Sequence, residues 1–335
     1  MRHIATLAAL LFLSVALTAQ RPVPSLPESP AAQQQPSTVF RSSASLVALN
    51  VTVTNGRKLV TGLTRDDFQV YEDGVLQEVR FFESAAVPMD VILLLDTSSS
   101  MRSRMATVHE AARSFMALLR PADRGAVVAF SDRVQVVQDL TSDPAAIESA
   151  ITSTVAFGST SLHSAIYIAL KTFGGAAHGT GEVRRQAIAV LSDGDDTSSL
   201  VSADDVVALA RRTGVNIYTI GLQSEFAALR KSSGLGYFSG ADYTLKALAK
   251  ETGAQAFFPS TVHELKHVYQ AIADELGAQY SIGYAPANNR ADGRFRRIVV
   301  RVTGNPAFSP RTRAGYTADS IRTIAAALSP DSRSR

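Results

Sequence analysis

Apolar residues follow three different rhythms along this chain. In "LVALNVTVTNGRKLVTGL", residues 46–63, Val47, Leu49, Val51 and Val53 alternate with other residues up to Asn55-Gly56. Period-two alternation running into Asn-Gly predicts strand, tight turn, strand. "FQVYEDGVLQEVRFF", residues 68–82, repeats the device around Asp73-Gly74. From residue 90 the rhythm changes. Val91 to Leu95 is an unbroken apolar run, as in a strand buried on both faces. "RMATVHEAARSFMALLR" places Met105, Val108, Ala112, Phe115 and Leu119 on one helical face. "GAVVAFS" is a second buried strand, and "VQVVQDL" follows after so short a gap that the two should form a hairpin.

Helical patterns then cover 143–153, 161–173, 202–213, 243–252 and 262–277. Between them lie the strands "QAIAVLS", "NIYTIGL" and "AQAFF". Alternating strands and helices predict an α/β fold with a doubly wound, mostly parallel sheet and one antiparallel edge strand. After residue 277 the alternation of period two returns at Tyr280, Ile282 and Tyr284, then at Ile298, Val300 and Val302, with "RTRAGY" as a last short strand. Neither this segment (278–317) nor the early one (39–86) has enough strands to bury a core alone. The expectation is one small composite antiparallel β domain built from both ends, with an α/β domain at 88–277 inserted between them.

The chain ends are of another kind. "MRHIATLAALLFLSVALTAQ" has Arg2, an apolar run from Ile4 to Leu17, and small residues at Thr18 and Ala19. That predicts a signal peptide over 1–19, a mature chain without a transmembrane span, and export to the periplasm or beyond the cell. Residues 20–38, rich in Pro, Gln and Ser, read as a disordered linker, and 318–335 as a flexible tail. A net charge of +3, with Lys and Arg scattered, points away from nucleic acid as a partner. The absence of cysteine excludes disulfides and thiolate metal sites.

Candidate chemistry gathers where the buried strands end. In an open α/β sheet, ligands bind beyond the carboxyl ends of the parallel strands. "VILLLDTSSSM" puts Asp96 at such an end, with Ser98 and Ser100 in the loop after it. "FGSTSLHSAI" puts Thr160 just before a helix, and "VLSDGDD" puts Asp193 at another strand end. Two carboxylates and three hydroxyls make an all-oxygen site suited to a hard cation, Mg²⁺ first, with Mn²⁺ or Ca²⁺ as alternatives. Singly, each piece has a plainer reading: a helix N-cap for the serines and a simple turn for Asp193-Gly194. Asp195, Asp196 and Thr197 fit loop capping better than metal ligation, and His163 fits a packed or surface histidine. His109, His178, His263 and His267 show no metal-ligand spacing. "GLQSEFAALRKSSGLGYFSGAD", 221–242, leaves a parallel strand on the same edge and is a candidate specificity loop.

"DTSSS", the downstream Thr160 and "SDG" together resemble the metal-ion-dependent adhesion site of the von Willebrand factor type A domain, over about residues 88–277. The flanking "GLTRDDFQVYEDG" and "RAGY" resemble a related family of exported bacterial proteins. The resemblance implies a Rossmann-like fold in which Ser98, Ser100 and Thr160 touch a metal, and Asp96 and Asp193 bind it directly or through water. It implies a non-enzymatic adhesion module whose protein partner offers an Asp or Glu carboxylate. Two other readings are a structural part of an envelope assembly with a fold-stabilising metal, and metal-assisted hydrolysis. Against hydrolysis, the sequence offers no well-placed general base, nucleophile–base pair or second metal cluster.

Overall fold

A computed structural model describes residues 46–84, 87–176, 184–193, 195–222 and 240–318. The expected leader, the linker and all but the first residue of the tail lie outside them, as does most of the 221–242 excursion.

The central element is strand β6 (Met89–Asp96), buried along its whole length. It lies between β7 (Arg124–Phe130) and β9 (Arg185–Ser192), parallel to both. Outward from β9 come β10 (Asn216–Gly221) and the short β11 (Ala256–Phe257), both parallel. On the other side β8 (Val134–Thr141) closes the sheet as an antiparallel edge paired to β7. The sheet is thus parallel except at one edge.

Strand pleating explains why the run at 91–95 has no polar alternation: both faces are covered. Val91, Leu93 and Leu95 meet helices α1 (Met105–Met116), α2 (Pro144–Ser153) and α6 (Leu265–Ala278). Ile92 and Leu94 meet α3 (Leu162–Ala176), α4 (Ala203–Thr213) and α5 (Gly240–Thr252). Each wholly buried leucine contributes about 1.5–3 kcal/mol. The helices start where the local chemistry permits. Asp143 accepts from the Ala145 N–H with Pro144 at the first helical position, and Ser202 with Asp205 forms a capping box. Helix α5 begins at Gly240, earlier than the apolar pattern predicts, and α6 is preceded by a 3₁₀ turn at Val262–Glu264.

The remaining strands come from the two flanks of this unit. From the N-terminal side come β1 (Val47–Asn55), β2 (Lys58–Leu59), β3 (Phe68–Glu72), β4 (Val75–Gln77) and β5 (Val79–Glu83). From the C-terminal side come β12 (Tyr280–Tyr284), β13 (Phe295–Val302), β14 (Phe308–Arg311) and β15 (Gly315–Thr317). They interleave: one sheet runs β14-β1-β12-β5 with β2 beside β1, the other β15-β13-β3-β4. The pairings β1–β12 and β3–β13 are antiparallel. Strands from both sheets share one core, with Val51, Val70, Tyr280, Ile282 and Tyr284 deeply buried in it. Strand β14 is an element the alternation did not reveal. At the Asp73-Gly74 turn both residues have positive φ, 48° and 85°, as a two-residue hairpin between right-twisted strands requires.

A polar seam joins the sandwich to the α/β layer. Glu275 on α6 accepts from Tyr218 of β10 at 2.7 Å and from Thr52 of β1 at 3.2 Å, and pairs with Arg311 of β14. Burial first, then the charge of Glu275, pushes the Tyr218 hydroxyl well above its ordinary pKa, so it stays a donor. Among the described residues, no helix is long and apolar enough to cross a membrane.

Candidate functional site

Strand β6 delivers Asp96, wholly buried, to the carboxyl edge of the sheet. The chain turns at once. Thr97 donates its N–H and its hydroxyl to the Phe130 carbonyl, at 2.8 and 3.0 Å, which pins the turn to the end of β7. Asp96 Oδ1 accepts the Ser98 N–H at 2.8 Å, so the acid folds back on its own loop. Ser98 then leads into a short 3₁₀ turn, Ser99–Met101, that presents the Ser100 side chain.

The loop after β9 reaches the same place. Ser100 Oγ donates to Asp193 Oδ1 at 2.7 Å, and Ser98 Oγ lies 3.0 Å from Ser100 Oγ. Since Ser100 gives its one proton to Asp193, Ser98 gives its own to Ser100. The buried Ser98 oxygen then faces no donor among the described residues. Four of the five expected ligands are therefore linked in one chain of contacts.

Thr160, buried in the loop before α3, joins them through its backbone. Its N–H donates to Thr197 Oγ1 at 3.1 Å, and its carbonyl accepts from Thr197 and Ser198 N–H at 2.9 and 3.1 Å. The same loop is tied to the first one, because Ser99 N–H donates to Gly158 O at 3.0 Å and Phe157 N–H to Thr97 O at 2.7 Å. Thr197 is thus a brace between two loops. Asp196 caps α3 from a distance, accepting from His163 N–H at 2.8 Å and lying 3.0 Å from His163 Nδ1. Burial alone would raise the Asp196 carboxyl; hydrogen bonds from Ser199 and His163 outweigh it and hold it below the usual range.

Two further residues contact the expected ligands without being among them. Ser192 Oγ donates to Asp96 Oδ2 at 2.6 Å. Arg104, at the start of α1, places Nη1 2.7 Å from Asp193 Oδ2. The only signal for Ser192 was its place before Asp193 at a strand end. Nothing in the spacing points Arg104 toward a residue so far along the chain.

Electrostatically the site is under tension. Burial pushes the Asp96 carboxyl above the ordinary carboxylate range; hydrogen bonds from Ser192 and Ser98 oppose this, and the charge of Asp193 adds to the rise. Two acids held this close, one of them wholly buried, favour a compensating cation. The donor set is all oxygen and mostly neutral, which fits a hard ion. Among the described residues no three His, Asp or Glu side chains cluster as a metal site, so an ion held here relies on the hydroxyls.

The surroundings are partly apolar. On the loop leading to Thr160, Val155 and Phe157 are 70% and 50% exposed, and Leu200, after Asp193, is 98% exposed. An open cavity of about 410 Å³ adjoins the first loop, lined by Thr97, Arg133, Val134, Val155 and Phe157 among others.

A family model described as von Willebrand factor type A domain matches residues 90–271. A UPF0353 protein of Mycobacterium leprae (strain TN) is 28% identical over 249 residues, covering 70% of this chain and 72% of the relative. A UPF0353 protein of Mycolicibacterium paratuberculosis is 27% identical over 224 residues, covering 63% and 66%. Among solved structures, the chain is similar to a von Willebrand factor type A protein from Catenulispora acidiphila, with TM-score 0.48, 14% identity, and coverage of 83% of this chain and 75% of that one. It is also similar to proximal thread matrix protein 1 from the mussel byssus, solved with a zinc occupied MIDAS motif, with TM-score 0.46, 17% identity, and coverage of 57% and 49%.

Proposed function

The chain belongs to the von Willebrand factor type A domain family, and from that premise we propose that it is a metal-dependent binding module for a protein partner. Asp96, Ser98, Ser100, Thr160 and Asp193 would hold one divalent cation, Mg²⁺ by first preference. The observation that carries this reading is the contact chain Ser98–Ser100–Asp193, with the buried Asp96 behind it. A hard cation at such a site supplies positive charge that draws an anionic oxygen, here an Asp or Glu side chain of the partner. The protein's own groups do the positioning. Asp96 is oriented by Ser98 and Ser192, while the Thr197 brace holds the Thr160 loop in register.

Exposed Val155, Phe157 and Leu200 on the same loops support a protein partner, since apolar groups beside a polar site exclude water once a surface docks. The chemistry argues against hydrolysis. Asp193, which accepts from the Ser100 hydroxyl, has its second oxygen paired with Arg104, which makes it a poor general base. The N-terminal pattern of Arg2 and the apolar run from Ile4 to Leu17 supports export, to the periplasm or beyond.

Calorimetric titration with Mg²⁺ and Mn²⁺ tests the site, beside a pull-down from envelope extract in Mg²⁺ and then in chelator. The expected result is one ion per chain, no ion in Asp96→Asn, and a partner released by chelator. Unchanged ion uptake in Asp96→Asn moves the site elsewhere. A partner that stays bound in chelator makes the ion a stabiliser of an assembly instead.

A further inference from the structure

Arg104 introduces a second cation into a site built for one. Its guanidinium Nη1 lies 2.7 Å from Asp193 Oδ2, and the two side chains are 19% and 4% exposed. Asp193 Oδ1 is already taken by Ser100. Both oxygens of this acid are therefore engaged, and one of the two negative charges of the site is offset from within the chain. The arginine stands at the N-cap of α1, directly after the turn that presents Ser98 and Ser100, so it belongs to the same loop as two of the proposed ligands.

We infer that Arg104 is a tethered cation that competes with the divalent ion for Asp193, so that the affinity of the site is set by this competition. The inference rests on the proposed metal site. Its physical basis is simple. A guanidinium remains charged at every accessible pH, so it cannot leave by losing a proton. It can leave only by moving, and a long side chain at a helix N-cap, 19% exposed, does so by changing rotamer. While it stays, Asp193 offers an incoming ion no free oxygen and little net charge. When it goes, Asp193 Oδ2 becomes available beside the Ser98 and Ser100 oxygens. The opposite reading makes Arg104 a clamp that keeps Asp193 in place for the ion. The two readings differ in sign: removing a competitor tightens ion binding, and removing a clamp weakens it.

The test is calorimetric titration of the wild-type chain, Arg104→Gln and Arg104→Lys with Mg²⁺ and Mn²⁺, with Asp96→Asn as the blank. Loss of a charged hydrogen bond should tighten the ion in Arg104→Gln by about tenfold or more. Arg104→Lys, which keeps the charge, should stay within a few-fold of wild type. Equal or weaker binding in Arg104→Gln, with wild type binding normally, overturns the competition and leaves the metal site standing. No uptake by any of these proteins overturns both. If Arg104→Gln does not fold, the wild-type protein still decides, through the Nη1–H resonance of Arg104, the group that meets Asp193, assigned from its loss in Arg104→Lys. Its exchange with solvent should be slow in chelator and fast at saturating Mg²⁺; no change overturns the competition.

Discussion

Ser192 Oγ donates to Asp96 Oδ2 at 2.6 Å, across two neighbouring parallel strands. The bond explains how a wholly buried acid keeps one orientation: Ser98 N–H holds one oxygen and Ser192 the other. Ser192→Ala removes that donor without changing the loop. Leaving a buried carboxylate oxygen short of a donor costs about 1–3 kcal/mol. The urea midpoint should fall accordingly, while Ser192→Thr, which restores a hydroxyl, should stay near wild type. Equal midpoints for Ser192→Ala and wild type would show that the bond contributes nothing.

Glu72 makes the corresponding link in the sandwich. Its Oε2 accepts from Tyr284 at 2.6 Å and from Tyr316 at 3.0 Å, joining β3 to β12 and β15. All three residues are buried. Glu72→Leu strands two hydroxyls at once and should cost at least about 2 kcal/mol. Glu72→Gln keeps an acceptor and should cost less. Amide exchange is the direct readout, because the loss should appear first at Val70, Ile282 and Ile298. A Glu72→Leu protein with wild-type protection at those amides refutes the link.

Elements were legible where one local rule decides them. The unbroken run at Val91–Leu95 could only be a strand covered on both faces, and Asn55-Gly56 and Asp73-Gly74 mark the places where φ turns positive. Asp96, Ser98, Ser100, Thr160 and Asp193 were legible as candidates because strand ends in an open sheet share one edge. The contacts that orient them were not. Arg104 to Asp193 and Thr160 to Thr197 join residues far apart in sequence, and no periodicity encodes such a meeting. The same limit hid β14, whose short segment is interrupted by Pro310 and gains its partner only from β1.

Ion binding should be visible as stability. Asp96 and Asp193 both lie at the sheet edge, and the charge of the second adds to the cost of ionising the first. A ligand that binds only the folded state adds about 2.7 kcal/mol when present at 100 times its dissociation constant. The melting temperature should therefore rise with Mg²⁺ or Mn²⁺ and fall back with chelator. Asp96→Asn should show no such response. A rise of equal size in Asp96→Asn would mean that the ion acts at another site.

The clearest pH dependence lies away from the site, at His109 on α1. Its Nε2 is 2.7 Å from Thr154 Oγ1, and the Thr154 hydroxyl donates to the Ile151 carbonyl at 2.9 Å. Thr154 has then used its proton, so Nε2 must be the donor, and this pattern assigns the neutral tautomer. Burial first, then the positive charge of Arg113, lowers the His109 pKa. Arg113 is itself paired with Glu148 at 2.7 Å on α2. The sign follows. The folded chain takes up this proton less readily than the unfolded chain, whose histidine titrates at about pH 6.5. Stability from this group is whole above that pH and is lost as pH falls from there toward the lowered folded value. His109→Gln keeps an N–H for Thr154 and does not titrate. Between pH 7.5 and 5.5 the urea midpoint should fall further in wild type than in His109→Gln. Parallel curves for the two proteins would assign the acid sensitivity to other groups.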